Sequence, residues 1–124
     1  MLIRCWGARG SLPISGPDSL KFGGDTSCLE VRGDDGTLII VDAGTGTRRL
    51  GERIAAENIA DIHWLFTHTH LDHIIGFPFF APLYDPRSTI TIYDHHHPQA
   101  HVLGLLEKAI CPPYFPIHIR DCKA

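Results

Sequence analysis

No Cys-x-x-Cys pair occurs in this chain: its four cysteines, Cys5, Cys28, Cys111 and Cys122, lie far apart. Neither a cysteine zinc site nor a dithiol redox motif is therefore expected, and reduced, mostly buried thiols are. Basic residues are not in excess either. Eleven Lys and Arg stand against fourteen Asp and Glu, a formal net charge of −3. No Lys/Arg cluster is long enough to track a phosphate backbone, so composition gives no indication of a nucleic-acid partner, without excluding one. Long apolar runs are missing as well. The stretch from Ile74 to Leu83 is broken by Gly76, Pro78 and Pro82 and falls short of the roughly 20 residues a membrane helix needs. The opening Met-Leu-Ile-Arg-Cys-Trp lacks the layout of a secretory signal, which leaves a cytoplasmic location, away from membranes, as the default expectation.

What is present is a chain of 124 residues, 44% hydrophobic and 20% charged, enough for one modest core and one domain or part of one. Leu2 to Cys5 alternates as a short strand and runs into a Gly-, Pro- and Ser-rich loop that lasts to Gly24. Loops of that length inside compact domains usually have a functional reason. Ser27–Arg32 and Thr37–Asp42 are β-rich runs around Gly33-Asp-Asp-Gly36, the chemistry of an antiparallel hairpin. The period then turns helical from about Thr47 to Glu57, with Thr45 or Thr47 as the expected cap. A strand from His63 to Thr67, a short helix from Asp72 to Phe80 and a strand from Thr89 to Tyr93 follow. Pro98 should open a helix from about Gln99 to Ile110, which Cys111-Pro-Pro-Tyr-Phe-Pro116 stops. Ile117 to Arg120 is expected as a further strand. Strands mixed with helices point to an α/β layer.

All nine histidines lie at or beyond His63, and they crowd most tightly in Thr67-His-Thr-His-Leu-Asp-His73. A single histidine near a strand end is usually a hydrogen-bonded loop residue. Here His68 and His70, one residue apart on an extended segment, project to the same side and can approach one cation together. Asp72 and His73 continue the cluster as the chain turns into a helix, and the spacing supports a metal.

At these residues the sequence resembles the metallo-β-lactamase superfamily, whose H-x-H-x-D-H signature is matched at His68, His70, Asp72 and His73. Trp6-Gly-Ala-Arg-Gly-Ser11, Gly23-Gly-Asp-Thr-Ser-Cys28 and Asp42-Ala-Gly-Thr-Gly46 look like its ribonuclease Z and cyclic phosphodiesterase branch. The resemblance implies the family's αββα sandwich, here only the N-terminal αβ half. It also implies a metal-dependent hydrolase acting on a small-molecule or nucleotide phosphodiester. Two divalent ions are implied, zinc first, with manganese or iron as alternatives. His68 and His70 would hold one ion, and Asp72 and His73 the other. Asp72 would also orient the attacking water, as the catalytic residue. Asp42 would support a ligand from behind, or else stabilise the N-terminus of the helix that follows.

The family completes its site with histidines and an aspartate further downstream, and neither His118 nor Asp121 falls in such a motif. Residues 1–124 are therefore expected to be the N-terminal portion of a truncated domain. A half domain would leave one sheet face and its edges open, for which a homo-oligomer pairing two halves is a further expectation. The alternatives to the phosphodiesterase are a non-catalytic metal-binding fragment, or a thioester hydrolase or redox relative of the same fold. Arg9 and Ser11 are candidates for a substrate phosphate, against an ordinary loop. His95-His-His97 is expected as an exposed polar loop. Trp6, Phe22, Phe77, Phe79 and Phe80 should be core or pocket wall. Gly44-Thr-Gly46 lacks the lysine of a phosphate-binding P-loop and is expected as a tight strand-to-helix passage.

Overall fold

The computed structural model describes residues 1–93 and 101–124. Five strands form one sheet in sequence order: β1 (Leu2–Gly7), β2 (Cys28–Arg32), β3 (Leu38–Val41), β4 (Asp61–Leu65) and β5 (Thr89–Tyr93). β1, β2 and β3 pair antiparallel, with Leu29 opposite Val41, while β3, β4 and β5 run parallel, with Ile40 opposite Trp64. The change follows from the connections. Gly33-Asp-Asp-Gly36 is a turn short enough to reverse the chain, and Asp35 Oδ1 accepts from the Thr37 amide at 3.0 Å. Between β3 and β4 the chain instead makes the crossover that a parallel pair requires, through helix α1 (Thr47–Glu57).

Alternation along the strands sorts side chains between two faces. Leu38, Ile40, Ile62 and Trp64 point to the face covered by α1 and the 3-10 turns Phe77–Phe79 and Ala81–Tyr84, and there they are buried. α1 meets this layer with Leu50 and Ile54, both fully buried, and turns Arg48 and Glu52 to water. Trp64 is the centre of the core. Its ring lies 4.9 Å from that of Phe77 and 4.7 Å from that of Phe80, in tilted and edge-on contacts, and it stacks on Phe66. On the opposite face Leu29, Val31, Ile39 and Val41 are only half-buried, and Ile3, Leu65 and Tyr93 are exposed.

One charge sits inside the covered layer. Glu30 is fully buried, which is sustainable because Arg4 and Arg32 pair with it and the Trp6 indole donates to it at 2.8 Å. Arg32 reaches on to Glu57 at the end of α1, so this cluster ties β1 and β2 to the helix.

Several elements differ from the sequence expectation. The N-cap of α1 is Gly46, with no side-chain cap, because Thr45 Oγ1 accepts from the Thr26 amide and donates to Asp25 instead. The helix expected over Asp72 to Phe80 is a single turn, α2 (Leu71–Ile74), followed by the two 3-10 turns. Pro78 and Pro82 have no amide to continue the helical ladder and sit at the starts of those turns. β4 ends at Leu65, so Phe66 and Thr67 already belong to the loop. The run Ile117–Arg120 is not a strand: Ile119–Asp121 is a 3-10 turn, whose Ile119 and Cys122 pack against the core. α3 (Val102–Ala109) lies within the expected last helix, while its expected start and His95-His-His97 lie outside the described residues.

Among the described residues no disulfide joins the cysteines, and against the expectation of mostly buried thiols only Cys28 is buried, with Cys111 and Cys122 half-buried and Cys5 exposed. Cys28 is fully buried and burial pushes its thiol up to about 12. Iodoacetamide at about pH 8 is therefore expected to modify exposed Cys5 in the native protein and Cys28 only after unfolding. Peptide mass mapping reads this directly, and native labelling of Cys28 would contradict the burial.

Candidate metal centre

Parallel pairing brings the C-terminal ends of β3 and β4 to the same edge of the sheet, where α/β folds gather their ligands. Asp42 follows β3, and Thr67 to His73 follow β4. Asp42 adopts a left-handed backbone, φ +60°, which Asp tolerates better than most residues. Its amide continues the ladder to the Leu65 carbonyl at 2.9 Å, and its carbonyl accepts from the Trp64 indole at 3.2 Å. The side chain, only 3% exposed, serves the loop after β4. Oδ1 accepts from the Thr67 amide at 2.8 Å and Oδ2 from Ser27 Oγ at 3.0 Å. His73 Nδ1 lies 2.8 Å from Oδ2.

That contact fixes a tautomer. A carboxylate can only accept, so Nδ1 of His73 carries a proton, and in the neutral ring Nε2 then keeps its lone pair. Nε2 lies 3.5 Å from Asp72 Oδ2. The His68 ring sits between its neighbours, 4.4 Å from the His70 ring and 4.0 Å from the His73 ring, centroid to centroid. Thr67 Oγ1 is 3.1 Å from His68 Nδ1, and His68 is exposed. Asp72 receives the Ser11 amide at 2.8 Å on Oδ2. This amide above all holds its carboxyl below the usual carboxylate range, with the nearby histidines adding to the effect.

Two peptide contacts lock this arrangement. The Ala43 amide donates to the His73 carbonyl and the Gly76 amide to the Ala43 carbonyl, both at 2.7 Å. Gly76 is required there: a Cβ at this position would lie 1.9 Å from the Gly44 carbonyl oxygen. Gly44, where a Cβ would lie 2.6 Å from the Asp72 carbonyl oxygen, and Gly76 together let α2 approach the end of β3, a tight passage rather than a phosphate cradle.

The donor set suits a divalent cation in kind: imidazoles beside a carboxylate, one imidazole oriented by a buried carboxylate behind it. It does not close a coordination shell, since no group of three or more His, Cys, Asp or Glu among the described residues is arranged to hold a metal ion. The geometry brings together His68, His70, Asp72 and His73, with Asp42 behind them. Ser11 joins through its backbone rather than its hydroxyl, at φ +66°. Arg9 is turned elsewhere, its Nε donating to the Leu12 carbonyl at 3.0 Å. Ser27 and Thr67 were missed as partners of Asp42, for which only the position of Thr67 at the head of the histidine run gave a hint.

A signature of this kind at the strand ends of an α/β layer defines a class, and comparison with known proteins agrees. The chain belongs to the metallo-β-lactamase superfamily, whose sequence profile matches residues 22–121, and its mixed five-stranded sheet with helices is part of that fold. Among curated proteins it is similar to ribonuclease Z of Natronomonas pharaonis, 30% identical over 99 residues that cover 77% of this chain and 32% of that protein. It is also similar to ribonuclease Z of Haloarcula marismortui, 28% identical over 93 residues that cover 73% of this chain and 30% of that protein. The chain therefore spans about a third of the length of these relatives. No solved structure matches it. No helix among the described residues is long and apolar enough to cross a membrane.

Proposed function

We propose that this chain is the N-terminal portion of a metal-dependent phosphodiesterase that activates water at a pair of divalent ions, zinc being the first choice. The observation that carries the reading is the Asp42–His73 contact at 2.8 Å. It prepares His73 as a ligand on the edge where His68, His70 and Asp72 stand. His68 and His70 would hold one ion, and Asp72 and His73 the other. Metal ions so held would acidify a water and neutralise charge on a phosphoryl group. Asp72, fixed by the Ser11 amide, orients the attacking water through its remaining carboxylate lone pairs. The ribonuclease Z relatives support a phosphodiester substrate, a nucleotide or RNA, and with it a cytoplasmic setting. The remaining ligands are assigned to further chain beyond this portion.

Hydrolysis of bis(p-nitrophenyl) phosphate by the zinc-loaded full-length protein, of which this chain is the N-terminal portion, tests the reading. Asp72→Ala is expected to lower turnover by at least about 100-fold while thermal unfolding shifts by only a few degrees. Equal turnover in the variant would remove Asp72 from its role. The unclosed donor set favours a second reading, a non-catalytic metal-binding fragment. Zinc binding without any chelator-sensitive turnover would select it.

A further inference from the structure

Thr67 Oγ1 stands between the buried carboxylate of Asp42 and a histidine of the cluster. It lies 2.8 Å from Asp42 Oδ1, 2.9 Å from Asp42 Oδ2 and 3.1 Å from His68 Nδ1. His73 Nδ1 is farther away, at 3.5 Å, and its proton is committed to Asp42 Oδ2 at 2.8 Å. A hydroxyl has one proton to donate and two lone pairs with which to accept. The carboxylate, an acceptor only, takes that proton; were it turned to His68 instead, the hydroxyl and carboxylate oxygens would meet lone pair to lone pair at 2.8 and 2.9 Å. What Oγ1 offers to His68 is therefore a lone pair, and His68 Nδ1 is the donor. In the neutral ring Nε2 then keeps its lone pair, the same tautomer that Asp42 imposes on His73. The Thr67 amide also donates to Asp42 Oδ1, at 2.8 Å, so the residue is anchored to this carboxylate at two points.

We propose that Thr67 is a positioning residue whose hydroxyl relays the acceptor character of Asp42 to His68. One buried carboxylate thus sets the tautomer of two imidazoles, His73 by direct contact and His68 through Thr67. The consequence for metal binding rests on the metal-dependent reading above, in which His68 and His73 belong to different ions. Nε2 of each ring then holds a lone pair ready for its ion, and the two half-sites share one source of order.

Nitrogen-15 NMR of the imidazoles in the metal-free full-length protein, at about pH 8 where an ordinary imidazole is neutral, reads the tautomers without turnover. Wild type should show His68 and His73 both protonated at Nδ1. Thr67→Val keeps the β-branched shape and removes the hydroxyl. His68 should then become a mixture of tautomers, while His73 keeps its Nδ1 proton, because Asp42 retains the amide of position 67, Ser27 and His73 as partners. Thr67→Ser should restore the wild-type pattern at His68, and Asp42→Ala should disturb both rings. Zinc titration should show an affinity loss of about tenfold in Thr67→Val, recovered in Thr67→Ser. His68 protonated at Nε2 in wild type, a His68 tautomer unchanged in Thr67→Val or in Asp42→Ala, or a Thr67→Ser protein that behaves like Thr67→Val would each overturn the proposal. If the tautomers respond as expected but zinc does not bind, the relay stands and the metal reading falls. Zinc-dependent hydrolysis with a His68 tautomer indifferent to Thr67→Val gives the converse.

Discussion

Asp42→Ala is expected to loosen the proposed metal centre without any change to a donor. The variant removes the acceptor shared by His73, Thr67 and Ser27, so His73 loses both its orientation and the reason to keep its proton on Nδ1. Loss of such a supporting carboxylate typically lowers metal affinity by about 10–100-fold. Zinc titration against a chromophoric chelator reads the affinity. Nitrogen-15 NMR of the imidazole reads the tautomer and needs no metal. Wild-type protein should show protonated Nδ1 at His73, and the variant a mixture of tautomers. An unchanged tautomer together with affinity within about twofold of wild type would mean that Asp42 only caps the structure. Asp42→Asn is the informative companion, since the amide can accept from Thr67 but presents an N–H in place of one oxygen.

Trp64→Ala is expected to have the largest effect on stability. The side chain is fully buried against Phe66, Phe77 and Phe80, and truncations of this kind cost about 3–5 kcal/mol. A domain this size holds about 5–15 kcal/mol in total, so the variant should be near or beyond the edge of folding. It would also lose the indole hydrogen bond to the Asp42 carbonyl, which couples the centre of the core to the centre of the site. Urea denaturation gives the measure. Trp64→Phe should recover much of the packing but not that bond, and a loss below about 1 kcal/mol in Trp64→Ala would refute the packing described here.

The histidine cluster was legible in the sequence because its members lie within six consecutive positions, His68 to His73, and their spacing alone places them on one short segment that turns from loop into helix. The hairpin was legible for the same reason, with turn chemistry between two β-rich runs. What holds the cluster was not. His73 and Asp42 are separated by 31 residues, and Ser11 and Asp72 by 61, distances over which no periodicity carries information. The Ser11 contact uses an amide that every residue but proline possesses, so no side-chain pattern could announce it. Elsewhere local patterns misled. Asp72 to Phe80 reads as helix by its apolar spacing, yet Pro78 divides it. Ile117 to Arg120 reads as strand by its β-branched residues, yet it pairs with neither edge strand of the sheet, β1 or β5, and Ile119 reaches the core from a 3-10 turn.

The contacts of Ala43 with His73 and of Gly76 with Ala43 run between backbone atoms alone, at 2.7 Å each. Hydrogen bonds of this sort are indifferent to which side chains the participants carry, apart from the small residue that steric closeness demands at Gly76. The spacing between the loop after β3 and the loop after β4 is thus set by main-chain contacts, with the Trp64 indole on the Asp42 carbonyl as a side-chain link from the core. Interior substitutions that leave Trp64 in place are expected to cost stability more than they disturb these contacts. Such a scaffold can accumulate interior substitutions over long divergence and still present its donors in the same frame.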